Sequence, residues 1–484
     1  MADPVDDPAA VLERLRARQA GDLPVHGGRT LAYVYDSGDD EVDRVAREAV
    51  AAYAGSNALD PTAFPSLLQM ENELVGFACR LLDAPEGAVG TVTSGGTESI
   101  LLAVQGARDS RPEVARPRMV LPATAHAAFH KAAHYFGVEP VLVATGPDFR
   151  SDAHAMAEAI DDSTVLVVAS APSYAHGVVD PVADIAAAAA ERGVRCHVDA
   201  CIGGWLLPYA TRLGRDVPPW TFAVEGVTSI SVDTHKYAYA PKGTSLLLHR
   251  NASLRRPQFF ASAAWPGYTM LNATTQSTRS GGPVAGTWAV VQHVGDDGYL
   301  RLAGQALDAV AVVVEAVESE PALRLVVRPD STLVALATDD SCDPFTLTDE
   351  LFARGWYVQP QLSFGDHGPS VHLSVSAGTL AHVADFRRAL GEAVAAAREA
   401  GPVAVDAEVV AFIEALDPAA LSDEDFDGLL AASGLVGASA DGDLELPTRM
   451  AEVNAMLDAA SPAMREALLV AFLDRLQRPV RDAS

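Results

Sequence analysis

The sequence predicts an α/β protein built on a mostly parallel sheet, with a smaller α+β domain after it in the chain. Three observations carry that expectation. Between residues 51 and 315, apolar runs of strand length alternate with helical stretches, the signature of a parallel sheet crossed by helices. Beyond residue 316 the apolar runs shorten and cluster before a final helix. The chain has 484 residues, 49% of them hydrophobic and 20% charged, ordinary values for a globular protein with a sizeable core.

The elements follow in chain order. Residues 1–50 form an N-terminal arm whose first stretch, MADPVDDPAAVLERLRARQAGDLP, is polar with one short helix. In 51–315, VLVVASAPS (165–173), VRCHVDA (194–200), SISVD (229–233) and TSLLLH (244–249) read as strands, and DIAAAAAERG (184–193) as a helix. Ile230 and Val232 belong to one strand and Leu246 to Leu248 to the next, joined by a turn containing Pro241 and Gly243. In 316–404, LRLVVRP, STLVALAT, GWYVQP and VHLSVS read as short strands, with helices over 346–354 and 379–400. Residues 405–484 are helical and acidic, an appendage for packing or oligomer contact that ends in the amphipathic MREALLVAFLDRL.

A net charge of -29 gives a surface that repels phosphate backbones, which argues against nucleic acid and anionic membranes as partners. The chain contains no recognisable DNA-binding segment. Its longest apolar helical run, DAVAVVVEAV (308–317), is far short of the ~20 residues a membrane span needs. Four cysteines, Cys79, Cys196, Cys201 and Cys342, with no CxxC pair and no secretory signal, suit a reducing cytoplasm. CHVDAC (196–201) does not make a metal site, because alternate residues of a strand point to opposite faces. No metal is expected.

Ligands of open α/β sheets bind beyond the carboxyl ends of the strands, so residues placed there are the ones to compare. Lys236, in SVDTHKYAYAPKGTS (231–245), lies where a strand gives way to a loop. It is either a solvated surface lysine or an amine whose pKa is depressed by partial burial and which forms a Schiff base with a carbonyl. Asp199 follows the strand VRCHV, as a cap, an ion-pair member or a partner for a protonated ring nitrogen. In TVTSGGTESILLAV (91–104), Ser94 to Thr97 open a helix whose unpaired amides make an anion site, with Glu98 as a capping-type acid. His126, His130 and His134 recur every four residues; His126, at the helix start, faces the sheet ends, and the other two are ordinary histidines of an amphipathic or packed face. A lysine, a carboxylate, a phosphate cradle and a flat imidazole together are what pyridoxal 5'-phosphate demands.

TSGGTESILLAV, TAHAAFHKAAHYFGV, HVDACIGGW and DTHKYAYAPKGTS resemble, in the same order, blocks of the sphingosine-1-phosphate lyase branch of the pyridoxal-phosphate-dependent group II decarboxylase family. The resemblance implies a fold-type I transferase with a seven-stranded sheet and a homodimer with shared active sites. It implies Lys236 as the Schiff-base lysine, Asp199 as the pyridine-nitrogen partner and His126 stacked on the ring. Gly96, Thr97 and His235 would hold the cofactor phosphate, and Thr278, in STRSGG, would reach the phosphate bound by the neighbouring subunit. Tyr35, in LAYVYDSG, and Lys242 fall where such lyases handle the substrate's phosphate and reacting groups.

Two departures lie on the substrate side: Asp60, in SNALDP, stands where the lyases have a histidine near the substrate phosphate, and Met270 takes the place of a pocket tyrosine, with Tyr268 close by. The implied reaction is carbon–carbon bond cleavage of a small-molecule amine: retro-aldol cleavage of a phosphorylated amino alcohol, or alternatively decarboxylation of an L-amino acid. A third reading is a cofactor-carrying module without catalysis.

Overall fold

The computed structural model describes residues 7–403, 405–432, 449–477 and 479. Seven strands make the large sheet: β1 (Val89–Thr93), β2 (Arg118–Pro122), β3 (Glu139–Val143), β4 (Thr164–Ser170), β5 (Arg195–Asp199), β6 (Val227–Asp233) and β7 (Ser245–His249). Their order is β1-β7-β6-β5-β4-β2-β3. Only β7 runs against its neighbours, pairing antiparallel with both β1 and β6. The remaining pairs are parallel. Helices therefore cover both faces, and the central strands can be apolar throughout. All seven residues of β4 are buried.

This direction brings the carboxyl ends of β1, β2, β4, β5 and β6 to one edge of the sheet. The β6–β7 connection turns at Gly243, whose φ of +103° favours a residue without a Cβ. Two register slips, beside Met119 and His197, interrupt the otherwise even ladder.

Four short strands, Leu323–Leu325, Leu333–Thr338, Gln359–Gln361 and Ser370–Ser374, form the second sheet, antiparallel throughout. Two segments distant from it complete its core. The helix Gly281–Ser319 breaks at Gly295 (φ 61°, ψ 178°), and its distal part buries Ala309, Val313 and Val317 against this sheet. Leu31, from the arm, is buried in the same cluster; its amide donates to the Tyr357 carbonyl and its own carbonyl accepts from Ser374.

Helices Ala407–Ala415, Asp423–Ala432, Ala451–Ala459 and Pro462–Leu476 pack around Ile413, Phe426, Met456 and Met464. The third is fastened to the small domain by its first turn. Both oxygens of buried Asp349 accept from the Met450 and Ala451 amides, at 2.9 and 3.0 Å.

Candidate active site

The shared strand edge opens on a cavity of about 400 Å³ lined by Gly96, Thr97, His126, Asp199, His235 and Lys236. They come from the carboxyl ends of four strands, β1, β2, β5 and β6, so residues spread over 140 positions meet because those strands run the same way. Ser170, the last residue of β4, and Pro172 and Tyr174 just beyond it add to the wall. Sequence reasoning did not select these three, although the rule that singled out β5 and β6 applies equally to β4.

Lys236 sits in the turn after β6, with its side chain only 17% exposed. Its Nζ lies 2.9 Å from Oδ2 of Asp233, itself buried at the carboxyl end of β6. Burial disfavours the lysine's charge, but the Asp233 carboxylate outweighs it and holds the ammonium above the ordinary lysine range. That corrects the expectation of a depressed amine. Burial likewise opposes the charge of Asp233, yet Lys236 and His235 keep its pKa below the usual carboxylate value. Ser245 Oγ donates to the other Asp233 oxygen at 2.6 Å.

Asp199 ends β5 with its Oδ1 accepting from the Cys201 amide at 3.1 Å and from Ser231 Oγ at 3.4 Å. Behind Ser231 stands His197, buried, with its ring nitrogens 2.9 and 3.2 Å from the hydroxyls of Ser229 and Ser231. Burial pushes His197 down to about 4. A neutral imidazole thus backs a hydroxyl that steadies the carboxylate.

The helix Gly96–Asp109 starts at the cavity, and the first amides of a helix have no partner within it. Glu98, in the first turn, is more than a cap. Its Oε2 accepts from the Ser94 amide at 2.7 Å, and its Oε1 accepts from the Thr275 amide at 2.9 Å and from the Thr275 hydroxyl. It ties the anion-binding turn to the segment that carries Thr278. At Gly96 a Cβ would meet the Asp233 carboxylate at 2.7 Å and Cys201 Sγ at 2.8 Å, so the helix start presses directly on the lysine turn.

His126 lies before the helix Ala128–Phe136; its Nδ1 accepts from the Ala128 amide at 3.1 Å, and its ring meets Tyr174 edge-on at 6.2 Å. His130 and His134 are exposed on that helix. His235, mostly buried, has Nδ1 3.4 Å from the Thr244 carbonyl, and burial, opposed by Asp233, lowers its pKa.

Tyr35 packs edge-on against Tyr237 at 5.1 Å, and Lys242 lies 5.4 Å from the centre of the Tyr35 ring while donating to the Tyr33 carbonyl. Burial raises the Tyr35 hydroxyl, an effect partly offset by Lys236. Lys242 is an exposed residue overall, and the partial burial of its side chain together with the Lys236 charge pushes its amine down to about 8. Tyr35, Lys242, Asp60 and Thr278 are not among the residues lining this chain's cavity. Asp60 is exposed, with Oδ1 turned back onto the Thr62 amide and hydroxyl, and Thr278 lies in an exposed loop. Their segments adjoin each other through an antiparallel bridge between Asn57 and Ser280. Met270 belongs to the short hairpin strand Met270–Asn272, on an outlying turn with exposed Trp265 and Tyr268.

The donor set fits pyridoxal phosphate: one amine, one buried carboxylate held by hydrogen bonds and a helix start with free amides all line a single cavity.

Residues 33–338 match the family model described as pyridoxal-dependent decarboxylase conserved domain. Residues 407–475 match one described as pyridoxal-dependent enzyme, C-terminal putative HTH domain, a description that the sequence by itself did not suggest. The chain is 36% identical over 394 residues to the sphingosine-1-phosphate lyase of Arabidopsis thaliana, covering 79% of this chain and 71% of that one. It is 38% identical over 351 residues to sphingosine-1-phosphate lyase 1 of Rattus norvegicus, covering 72% of this chain and 61% of the relative. A probable L-aspartate decarboxylase of Pyrococcus furiosus is 31% identical over 65% of this chain and 83% of its own length. Among solved structures, a Burkholderia pseudomallei sphingosine-1-phosphate lyase superposes with a TM-score of 0.77 at 35% identity, covering 83% of this chain and 93% of that one. The chain belongs to the pyridoxal-dependent decarboxylase family, as an enzyme of the lyase class whose cofactor is pyridoxal phosphate.

Proposed function

We propose that the protein cleaves a phosphorylated amino alcohol between the carbon bearing the amine and the carbon bearing the hydroxyl, releasing an aldehyde and a phosphorylated amine. The observation that carries this reading is the pairing of Lys242 with Tyr35 beside the Lys236 turn. Retro-aldol cleavage needs a group that removes a hydroxyl proton, and an amine pushed down to about 8 is neutral often enough near neutral pH to take it. Bound pyridoxal phosphate supplies the electron sink for the charge left at carbon. Asp199 faces the cavity as the carboxylate that keeps a ring nitrogen protonated, and Ser231 holds it in place. Lys236 is the amine for covalent attachment and for moving a proton at the reacting carbon. The relatives named sphingosine-1-phosphate lyase support the same substrate class.

Decarboxylation of an amino acid is the second reading, favoured by the match to the Pyrococcus relative. Purified holoenzyme offered a panel of amino acids and phosphorylated amino alcohols, with products read by mass spectrometry, separates the two. Aldehyde release supports the first reading, and carbon dioxide release with no aldehyde overturns it.

The active unit in this proposal is a cytoplasmic homodimer. Asp60 and Thr278 occupy adjoining exposed segments, and Glu98 anchors the Thr278 segment next to the anion site, a placement suited to reaching a second copy. Mixing Lys236→Ala and Thr278→Ala subunits tests it. Each alone is impaired, and a mixed dimer retains one intact site if the residues are shared; mixtures no better than either parent would exclude sharing.

A further inference from the structure

A second cavity, of about 570 Å³, adjoins the first, and His126 and Tyr174 line both. Its walls are mainly apolar and aromatic, with Phe149 and His176 from the large domain and Leu362, Phe364 and His367 from the small one, while Gln361 and Asp366 add polar groups on the small-domain side. Phe149 stacks on His176 at 3.9 Å and meets His367 at 4.7 Å. It does so with φ at +61°, a left-handed conformation that bulky residues rarely adopt. The surroundings enforce it: Thr145 bridges to Ser151, the Gly146 amide donates to the Arg150 carbonyl, and Arg150 is held by Asp330 at 2.6 Å. The opposite wall is a tight hairpin in which Phe364 and His367 exchange backbone hydrogen bonds around Gly365, φ +57°.

That hairpin is gripped from outside. Both oxygens of Asp458, at the end of the helix Ala451–Ala459, accept from Ser363: the amide at 2.6 Å and the hydroxyl at 2.8 Å. Arg465, on the last helix, donates to the Ser363 carbonyl at 3.1 Å and to the carbonyls of Asp458 and Ala460. All the polar atoms of Ser363 are thus engaged by the C-terminal helices. On the inner side, Gln361 donates to the Ala175 carbonyl, next to Tyr174. A short run of contacts therefore links Asp458 to the two residues shared by the cavities.

We propose that Asp458 and Arg465 are positioning residues that hold the Ser363 hairpin as one wall of this groove, and that the groove receives an apolar arm of the substrate, extending away from the amine. The proposal rests on the preceding reading only for the identity of the amine. A seat of this size and mainly apolar lining desolvates much of a hydrocarbon chain, and it adjoins the Lys236 cavity at His126 and Tyr174, which line both. The C-terminal helices thereby act on substrate choice from outside the cavity.

The test uses holoenzyme and primary n-alkylamines from ethylamine to decylamine, with binding read as a change in cofactor absorbance. In the parent, affinity should climb by roughly two- to fourfold for each methylene that enters the groove. Asp458→Ala should lower the decylamine-to-ethylamine affinity ratio by about tenfold or more, equivalent to two or more methylenes, and Asp458→Asn, which keeps one acceptor oxygen, should restore part of it. If Asp458→Ala does not fold, Leu362→Trp, which fills the groove from within, must lower the same ratio. A series without chain-length dependence in the parent, as when a second subunit covers the groove, or a ratio unmoved by these substitutions overturns the proposal. No cleavage is needed for this readout. A flat series therefore sinks the groove while leaving the lyase reading intact, and absence of aldehyde from the substrate panel does the reverse.

Discussion

Asp233 Oδ2 lies 2.9 Å from Lys236 Nζ, both side chains withdrawn from solvent at the end of β6. The pair keeps the amine charged and fixed in direction before it acts, and Ser245 keeps the carboxylate from turning away. Breaking a buried pair leaves an uncompensated charge, at a cost of about 3–5 kcal/mol.

Asp233→Asn should lower the unfolding free energy of the cofactor-free protein by about that amount at neutral pH. The sign follows from the shifts: Asp233 is depressed, so its contribution is present above the ordinary carboxylate range and lost as pH falls through its folded value. Lys236 is raised, so its part is complete at neutral pH and lost only as pH climbs through its elevated value. Urea titrations at pH 7 and in acid should show the difference between parent and variant shrinking in acid; a constant difference would argue against the ion pair.

Lys236→Ala should lose the yellow cofactor band and the cofactor that borohydride fixes to the parent. Retention of a fixable adduct would move the anchor to another amine.

Asp199→Ala should still bind cofactor yet turn over about 10- to 100-fold more slowly, the loss expected from one charge-assisted hydrogen bond. Steady-state kinetics at saturating cofactor measures it. Parental rates would remove Asp199 from the electron-sink role.

The kcat/KM of the parent should rise as pH passes about 8, where Lys242 loses its proton. Lys242→Met should abolish that limb and slow the reaction about 10²- to 10⁴-fold. A rise near pH 8 that survives the substitution belongs to another group.

Much of this architecture is legible in the residues. β4 and β7 stand out as nearly continuous apolar runs, as strands buried on both faces do, while β5 (RCHVD) and β6 (VTSISVD) mix polar with apolar residues and are marked by the acids that end them at the cavity edge. The placing of Asp199 and Lys236 at strand ends and of Ser94–Thr97 at a helix start is visible in the residues, while their roles come from the resemblance. The Asp233 pairing is not visible: three positions before a lysine, it reads as an ordinary strand-end acid, and only the turn after β6 folds the two together. Glu98 shows a cap in sequence but not its grip on Thr275, 177 residues away. Tyr35 and Lys242 meet across the arm and the β6–β7 turn, a contact with no local signature, and a resemblance was needed to pair them. The Ser363 clamp was invisible for the same reason, since Asp458 lies 95 residues further along.

The arm's seat in the small domain sets an order of events during synthesis. Leu31 finds its place only against Ser374 and Tyr357, and the Asp36 amide donates to Ser376, 340 residues downstream. At ~5–20 residues per second, the ribosome needs of the order of tens of seconds to deliver that stretch. Tyr35 meets Tyr237 much earlier, but the arm's backbone bonds to Tyr357, Ser374 and Ser376 are made only after most of the polypeptide has already emerged.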